Sequence, residues 1–184
     1  MFRVNSLQKN GISRYGEQIP TYEEVLDLVS NTGTKLLLDI KTSPKLDKRK
    51  VVRPAEKHEA VSDVIVGVRN IDDLREFRTL NPDIRALGFI ATPFEIDKFV
   101  TAGADIIRLW SWWIFLYPEL VAKVQQLGTP VWASAGDAPR QDLERLIMRG
   151  VKGIITNQPE VMAGLLDDIE SSREKLLKLS DADY

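Results

Sequence analysis

Asp39 and Lys41 close the apolar run KLLLDIK with two opposite charges. Strand side chains alternate with period two, so residues i and i+2 share one face. At the carboxyl end of a parallel strand, such a pair stands at the mouth of a sheet or barrel, where α/β proteins take their ligands. A carboxylate there can hold a hard divalent cation, and the ammonium beside it can hold a phosphate. The competing reading is a structural ion pair at a strand end. The position favours the ligand reading. Arg69 and Arg108 fall near the ends of two further apolar runs, DVIVGV and DIIRLW, and each suits a phosphate or an acidic side chain equally well. The chain has one histidine, His58, so a mechanism needing two imidazoles is excluded for this chain acting alone. His58 lies in RPAEKHEAV, which reads as an exposed helix, and is expected at the surface. With no cysteine, thiolate nucleophiles and thiolate metal sites are excluded too.

The elements that must position these residues repeat. Six apolar runs read as strands: Lys35–Ile40, Asp63–Val68, Ile84–Ile90, Asp105–Trp110, Pro130–Ala135 and Lys152–Thr156. They are short and nearly continuous in apolar character, as strands covered on both faces should be. Helix signals separate them. Thr21 with Glu24 forms a capping box. Ile71, Leu74, Phe77 and Leu80 keep helical spacing up to Pro82, and Thr92-Pro93 opens a helix that stops before Gly103. Pro118, Pro139 and Pro159 open the remaining three. Strand follows strand at roughly 20–30 residues, the size of a βα unit. The alternation predicts a parallel α/β sheet.

Composition narrows the class. The chain has 184 residues, enough for one domain, with 43% hydrophobic and 28% charged residues, which is globular rather than disordered. A formal charge of −2 gives no reason to expect a nucleic-acid partner. The first residues, MFRVNSLQKNGISRYG, lack the apolar core of a signal peptide, and no run reaches the 18 apolar residues of a membrane span. The default compartment is cytoplasmic, and the true one is unknown. Lys45, Lys48, Arg49, Lys50 and Arg53 read as a solvated basic connection in preference to an anion-attracting loop. The segment LWSWWIFLY, Leu109–Tyr117, reads as aromatics filling the lumen and wedging under the next helix, in preference to a cover for a lipid-like ligand.

Three segments together resemble one family. IPTYEEVLDLV with KLLLDIK is similar to the I-P-T-x-E-E-V-L helix and E-x-K strand of the glycerophosphodiester phosphodiesterases. VIVGVRNIDDLREFRTLNPDIRALGFI resembles that family's next strand, helix and strand. GVKGIITNQPEVM resembles its closing strand and helix start. The resemblance implies an incomplete (β/α)8 TIM-type barrel, the last six βα units of the phosphodiesterase barrel. It divides residues 1–184, as a single domain, into an N-terminal loop segment (1–20), six βα units (21–165) and a C-terminal helix and tail (166–184). It assigns Asp39 to the position of a metal-binding carboxylate and Lys41 to a lysine near the phosphate, with Trp132 matching a tryptophan of a later strand. Arg69, Arg108 and Trp132 join Lys41 as candidate substrate contacts, and all are expected near one face of the sheet. The family's acid/base histidines and its other two metal carboxylates belong to H-R-G, E-x-D and His-Asp segments that this chain does not contain. Asp39 stands where the family has glutamate, one methylene longer.

Two functions follow as expectations. In the first, the chain is part of a phosphodiesterase that uses a divalent cation (Mg²⁺ or Ca²⁺) to hydrolyse glycerophosphodiesters to glycerol 3-phosphate and an alcohol, its ligand being a glycerophosphodiester or a lysophospholipid-like small molecule. This chain by itself is then inactive and does not hold the cation stably. In the second, it is a non-catalytic truncated paralogue or fragment that serves as a binding or interaction module. Six units also leave two bare strand edges, which invite pairing between chains. The purified chain is therefore expected to self-associate through those edges or to bind a hydrophobic dye. A monodisperse monomer in size-exclusion chromatography, with a sharp thermal transition and no dye binding, overturns that expectation.

Overall fold

The computed structural model describes residues 20–30, 32–41 and 46–182. Two compact units make up the chain, Met1–Arg108 and Leu109–Tyr184. In the first unit, α1 (Tyr22–Val29), β1 (Leu36–Asp39), α2 (Arg49–Lys57), β2 (Val64–Val68), α3 (Ile71–Leu80), β3 (Arg85–Gly88) and α4 (Ile96–Thr101) lead into β4 (Ile106–Trp110). Its strands are parallel and pair in sequence order: Leu36 stands opposite Val64, Ile65 opposite Arg85 and Leu87 opposite Ile106. The second unit holds α5 (Ser111–Leu116), α6 (Glu119–Gln126), β5 (Val131–Gly136), α7 (Arg140–Met148), β6 (Gly153–Thr156) and α8 (Pro159–Ala182). There β5 and β6 are parallel, with Trp132 opposite Gly153 and an irregularity between Ser134 and Gly136. All six strand expectations are met, each within two residues at either end. Most of the 1–20 segment lies outside the described residues.

Local chemistry accounts for the helix boundaries. Thr21 Oγ1 accepts from the Glu24 N–H at 3.2 Å while Glu24 accepts from the Thr21 N–H at 2.7 Å, which satisfies two otherwise orphaned donors of α1. Asn70 caps α3 by accepting from the Asp73 N–H at 2.7 Å. Before α4 the Glu95 carboxylate accepts from the Ala91 and Thr92 N–H groups, and a single turn of 3₁₀ helix, Pro93–Glu95, precedes the α-helix. The strands of the first unit are largely apolar, as suits strands covered by helices. All five residues of β2 are buried, and Leu74 and Phe77 of α3 are fully enclosed. In contrast, every residue of β6 is half-buried. No helix among the described residues is long and apolar enough to cross a membrane.

One polar staple holds the lower rim of the first unit. Arg78, near the end of α3, donates to the Pro82, Ile84 and Gly103 carbonyls at 2.6–2.9 Å and pairs with Asp105 at 2.6 Å. Asp105 also accepts from the Ala86 N–H at 2.6 Å. One guanidinium thereby links the end of α3, the start of β3 and the turn into β4. Its planar fork addresses several acceptors at once, which an ammonium cannot reproduce. Arg78→Ala is expected to lower the unfolding free energy by about 2–3 kcal/mol, and Arg78→Lys to restore less than half of that loss. Urea unfolding of the three proteins measures this, and a lysine variant as stable as the parent contradicts the staple.

Candidate functional site

Parallel strands deliver their carboxyl ends to one side, and in the first unit four charged side chains gather there. Asp39 ends β1, Lys41 follows two residues later, Arg69 follows β2, and Arg108 lies in β4. The strand ladder extends past the formal ends: the Ile40 N–H donates to Gly67 at 3.0 Å and the Phe89 N–H to Val68 at 2.8 Å. These bonds fix the backbone where the site begins. Arg69 Nη1 lies 2.5 Å from Asp39 Oδ1 and donates to the Ile40 carbonyl at 2.8 Å. Lys41 Nζ pairs with Asp39 Oδ2.

Phe89 organises the cluster. The guanidinium carbon of Arg69 stands 4.7 Å from the ring centroid and that of Arg108 5.2 Å, both within cation–π range. The ring gets this place because residue 67 is glycine. A Cβ on Gly67 would meet the Phe89 ring at 2.3 Å, closer than any side chain tolerates. No reading of the sequence marked Phe89, because IRALGFI is uniformly strand-like. Its only signal was an aromatic residue next to the end of a strand whose neighbour carries a mid-strand glycine.

The electrostatics follow from this crowding. Burial alone would raise the Asp39 carboxyl, but the hydrogen bonds and charges of Arg69 and Lys41 outweigh it and hold the group below the usual carboxylate range. Arg108 is pushed down to about 10, first by burial and then by the like charge of Arg69, with Asp39 opposing. Among the described residues, three cations therefore converge near the Asp39 carboxylate. Such a cluster suits an anion.

A divalent cation fits these residues poorly. Both Asp39 oxygens already face cations, and among the described residues no three His, Cys, Asp or Glu side chains group to hold a metal. Mg²⁺ and Ca²⁺ need six or more oxygen ligands, and one ion-paired carboxylate does not begin such a shell.

The structure also describes the other residues singled out in the sequence. Trp132 is in the second unit, where its indole covers Gly153 so closely that a Cβ there would lie 2.6 Å from Nε1. Lys48 corrects the reading of a solvated basic run. It is buried, and its Nζ pairs with Asp73 at 2.8 Å and Glu76 at 2.5 Å, tying α2 to α3. Arg49, Lys50 and Arg53 are exposed, Arg49 pairing with Asp47, while Lys45 falls outside the described residues. His58 is not the free surface residue its helix suggested. Its ring is only 18% exposed and sits 2.7 Å from Asp27 of α1. Because α2 returns from the end of β1 to the start of β2, His58 lies at the amino end of the strands, opposite the cation cluster. The aromatic segment also departs from expectation. Trp113 and Ile114 of α5 are buried, but Trp110, Trp112, Leu116 and Tyr117 are exposed, since a six-residue helix has only one covered face.

Comparison with known proteins agrees with this architecture. No protein-family model matches the sequence. The chain is 26% identical over 156 residues to a glycerophosphodiester phosphodiesterase of Caldanaerobacter subterraneus subsp. tengcongensis, covering 82% of this chain and 63% of that one. It is 24% identical over 163 residues to glycerophosphodiester phosphodiesterase GDPD4 of Arabidopsis thaliana, covering 84% and 48%. The chain thus spans less than two thirds of either relative. Among solved structures, a glycerophosphodiester phosphodiesterase from Parabacteroides distasonis superposes with a TM-score of 0.69 at 20% identity, over 85% of this chain and 68% of that one. One from Agrobacterium tumefaciens gives 0.66 at 14% identity, over 81% and 62%. The fold class is α/β, of the (β/α)-barrel type, and this chain carries six of its βα units.

The Gly67–Phe89 contact gives a direct test of the site's construction. Gly67→Ala is expected to destabilise by about 1–3 kcal/mol through overpacking. Adding Phe89→Leu, which removes the colliding ring edge, should recover part of that loss. Thermal unfolding of the single and double variants decides it, and a Gly67→Ala protein of unchanged stability means that Phe89 does not occupy this place.

Proposed function

We propose that the chain is a member of the glycerophosphodiester phosphodiesterase family, to whose members it is similar, and that it binds the phosphate of a glycerophosphodiester without hydrolysing it unaided. The observation that carries this reading is the convergence of Lys41, Arg69 and Arg108 on the carboxyl-end side of the first unit, where Asp39 pairs with Lys41 and Arg69. Guanidinium and ammonium groups are the side chains that match phosphoryl oxygens, arginine through a planar fork and lysine as a point charge. Barrel proteins place their ligands at this end of the strands.

Binding and cleavage need different groups. Cleavage of a phosphodiester needs a base for the attacking water, an acid for the departing alkoxide and positive charge on the phosphoryl oxygens. The cluster supplies the last of these. Lys41, Arg69 and Arg108 would hold the phosphoryl oxygens, with the Phe89 ring within cation–π range of both guanidiniums. The chain's one imidazole, His58, stands at the opposite end of the strands, engaged with Asp27. In relatives that hydrolyse, a divalent cation would supply further charge on the phosphoryl group and activate the water. Asp39 alone does not provide its site.

Isothermal titration with glycerol 3-phosphate and glycerophosphocholine, paired with a turnover assay, tests the proposal. Binding is expected for both, weakened by added salt. Lys41→Gln, at a largely exposed position, should weaken it by about threefold and Arg108→Gln by about tenfold or more. Hydrolysis should not exceed the buffer rate with Mg²⁺ or Ca²⁺, since each missing acid or base group is typically worth about 10²–10⁴-fold. Turnover that depends on the metal and disappears in Asp39→Ala defeats the non-hydrolysing reading. Affinity that is indifferent to both cation substitutions defeats the site.

A further inference from the structure

We propose that Asp39 acts as an internal counter-ion that competes with the bound anion, so that phosphate binding at this site is independent of divalent metal and strengthens when the Asp39 charge is removed. This rests on the anion-site reading above and assigns how that site is regulated. Three observations support it.

The first is occupancy. Asp39 Oδ1 is engaged by Arg69 at 2.5 Å and Oδ2 by Lys41, so one carboxylate bridges the two cations much as two oxygens of a phosphate would. A phosphate entering this corner must share those donors or displace the carboxylate. The second is that Arg69 does not depend on Asp39 alone for its position. Arg69 is held by the Ile40 carbonyl at 2.8 Å and by the Phe89 ring at 4.7 Å. Removing the carboxylate charge leaves both anchors in place. The third is the failure of the alternative. A carboxylate poised for Mg²⁺ or Ca²⁺ would face other oxygen ligands, whereas this one faces an ammonium and a guanidinium. Metal and two cations cannot share its oxygens without strong repulsion.

The chain length at position 39 fits the same role. Aspartate on the last residue of β1 keeps its carboxylate close to the strand, where Arg69 from the adjacent strand and Lys41 from the same one both reach it. The result is a resting cluster with part of its positive charge internally neutralised, released only to a ligand that makes better contacts with both donors. A phosphate, with several oxygens to offer both donors, meets that condition more readily than a halide does.

The test measures inorganic phosphate and glycerol 3-phosphate binding to the 184-residue chain by titration calorimetry, in EDTA and in Mg²⁺, for the parent and for Asp39→Asn. The parent is expected to bind equally in both buffers, and Asp39→Asn to bind about threefold to tenfold more tightly. Far-ultraviolet circular dichroism of the variant establishes that it folds. The EDTA comparison on the parent stands even if the variant does not. Binding that requires Mg²⁺, or an Asp39→Asn protein that folds and binds more weakly, overturns the counter-ion assignment while leaving the anion site intact. Absence of phosphate binding by the parent in either buffer overturns the anion site itself, and this assignment with it.

Discussion

Two guanidiniums share one phenyl ring at the carboxyl end of the first unit, and the cluster is built around that contact. Like charges repel, so Arg69 and Arg108 need something near them that attracts both. The ring of Phe89 supplies it, because an aromatic quadrupole presents negative charge on its faces. The ring in turn depends on Gly67, the one residue type that lets it lie against β2 at this point. The Cβ that Gly67 lacks is thus what admits the ring and the positive charge gathered around it. Asp39 completes the balance from β1. All four strands of this unit contribute to the cluster, and their parallel pairing brings its components to the same end.

The scaffold beneath is held by polar links of a different kind. Lys48 is buried between two carboxylates of α3. Burial alone would favour its neutral form, but Asp73 and Glu76 more than offset this and leave the ammonium harder to deprotonate than usual. A buried charge with two partners specifies one way for α2 to pack on α3, because sliding either helix strands an ion in an apolar setting. Arg78 does the same at the strand starts through backbone carbonyls. Neither link touches the anion cluster. They define the frame on which it stands.

Much of this frame is legible in the sequence because it rests on local rules. Apolar runs such as VIVGV, the Thr21–Glu24 box and the prolines that open α7 and α8 carry their instructions within a few residues. The side-chain pairings are not legible, since their partners are about 20–30 residues away along the chain. Lys48 and Arg49 are neighbours with similar chemistry, yet one is buried and the other exposed, and only the position of α3 distinguishes them. Asp39 shows both sides of this. Its place at a strand end could be read directly, whereas its binding partners depended on where Arg69 would fall. Phe89 could not be singled out at all, because its role depends on an absence of atoms at Gly67. The short helix α5 shows the limit of pattern: LWSWWIFLY is apolar throughout, so nothing in it tells which aromatics the fold will cover.

The sequential pairing of the strands has a consequence for how the first unit assembles. Leu36 meets Val64, Ile65 meets Arg85 and Leu87 meets Ile106, so each pairing closes a loop of roughly 20–30 residues, and loop-closure entropy varies only slowly over that range. No strand has to wait for a distant segment before it can dock. Once β2 and β3 are together, β1 and β4 can each be added at an open edge as a separate step of similar entropic cost. A chain emerging residue by residue from synthesis can therefore lay down this unit in the order in which it is made.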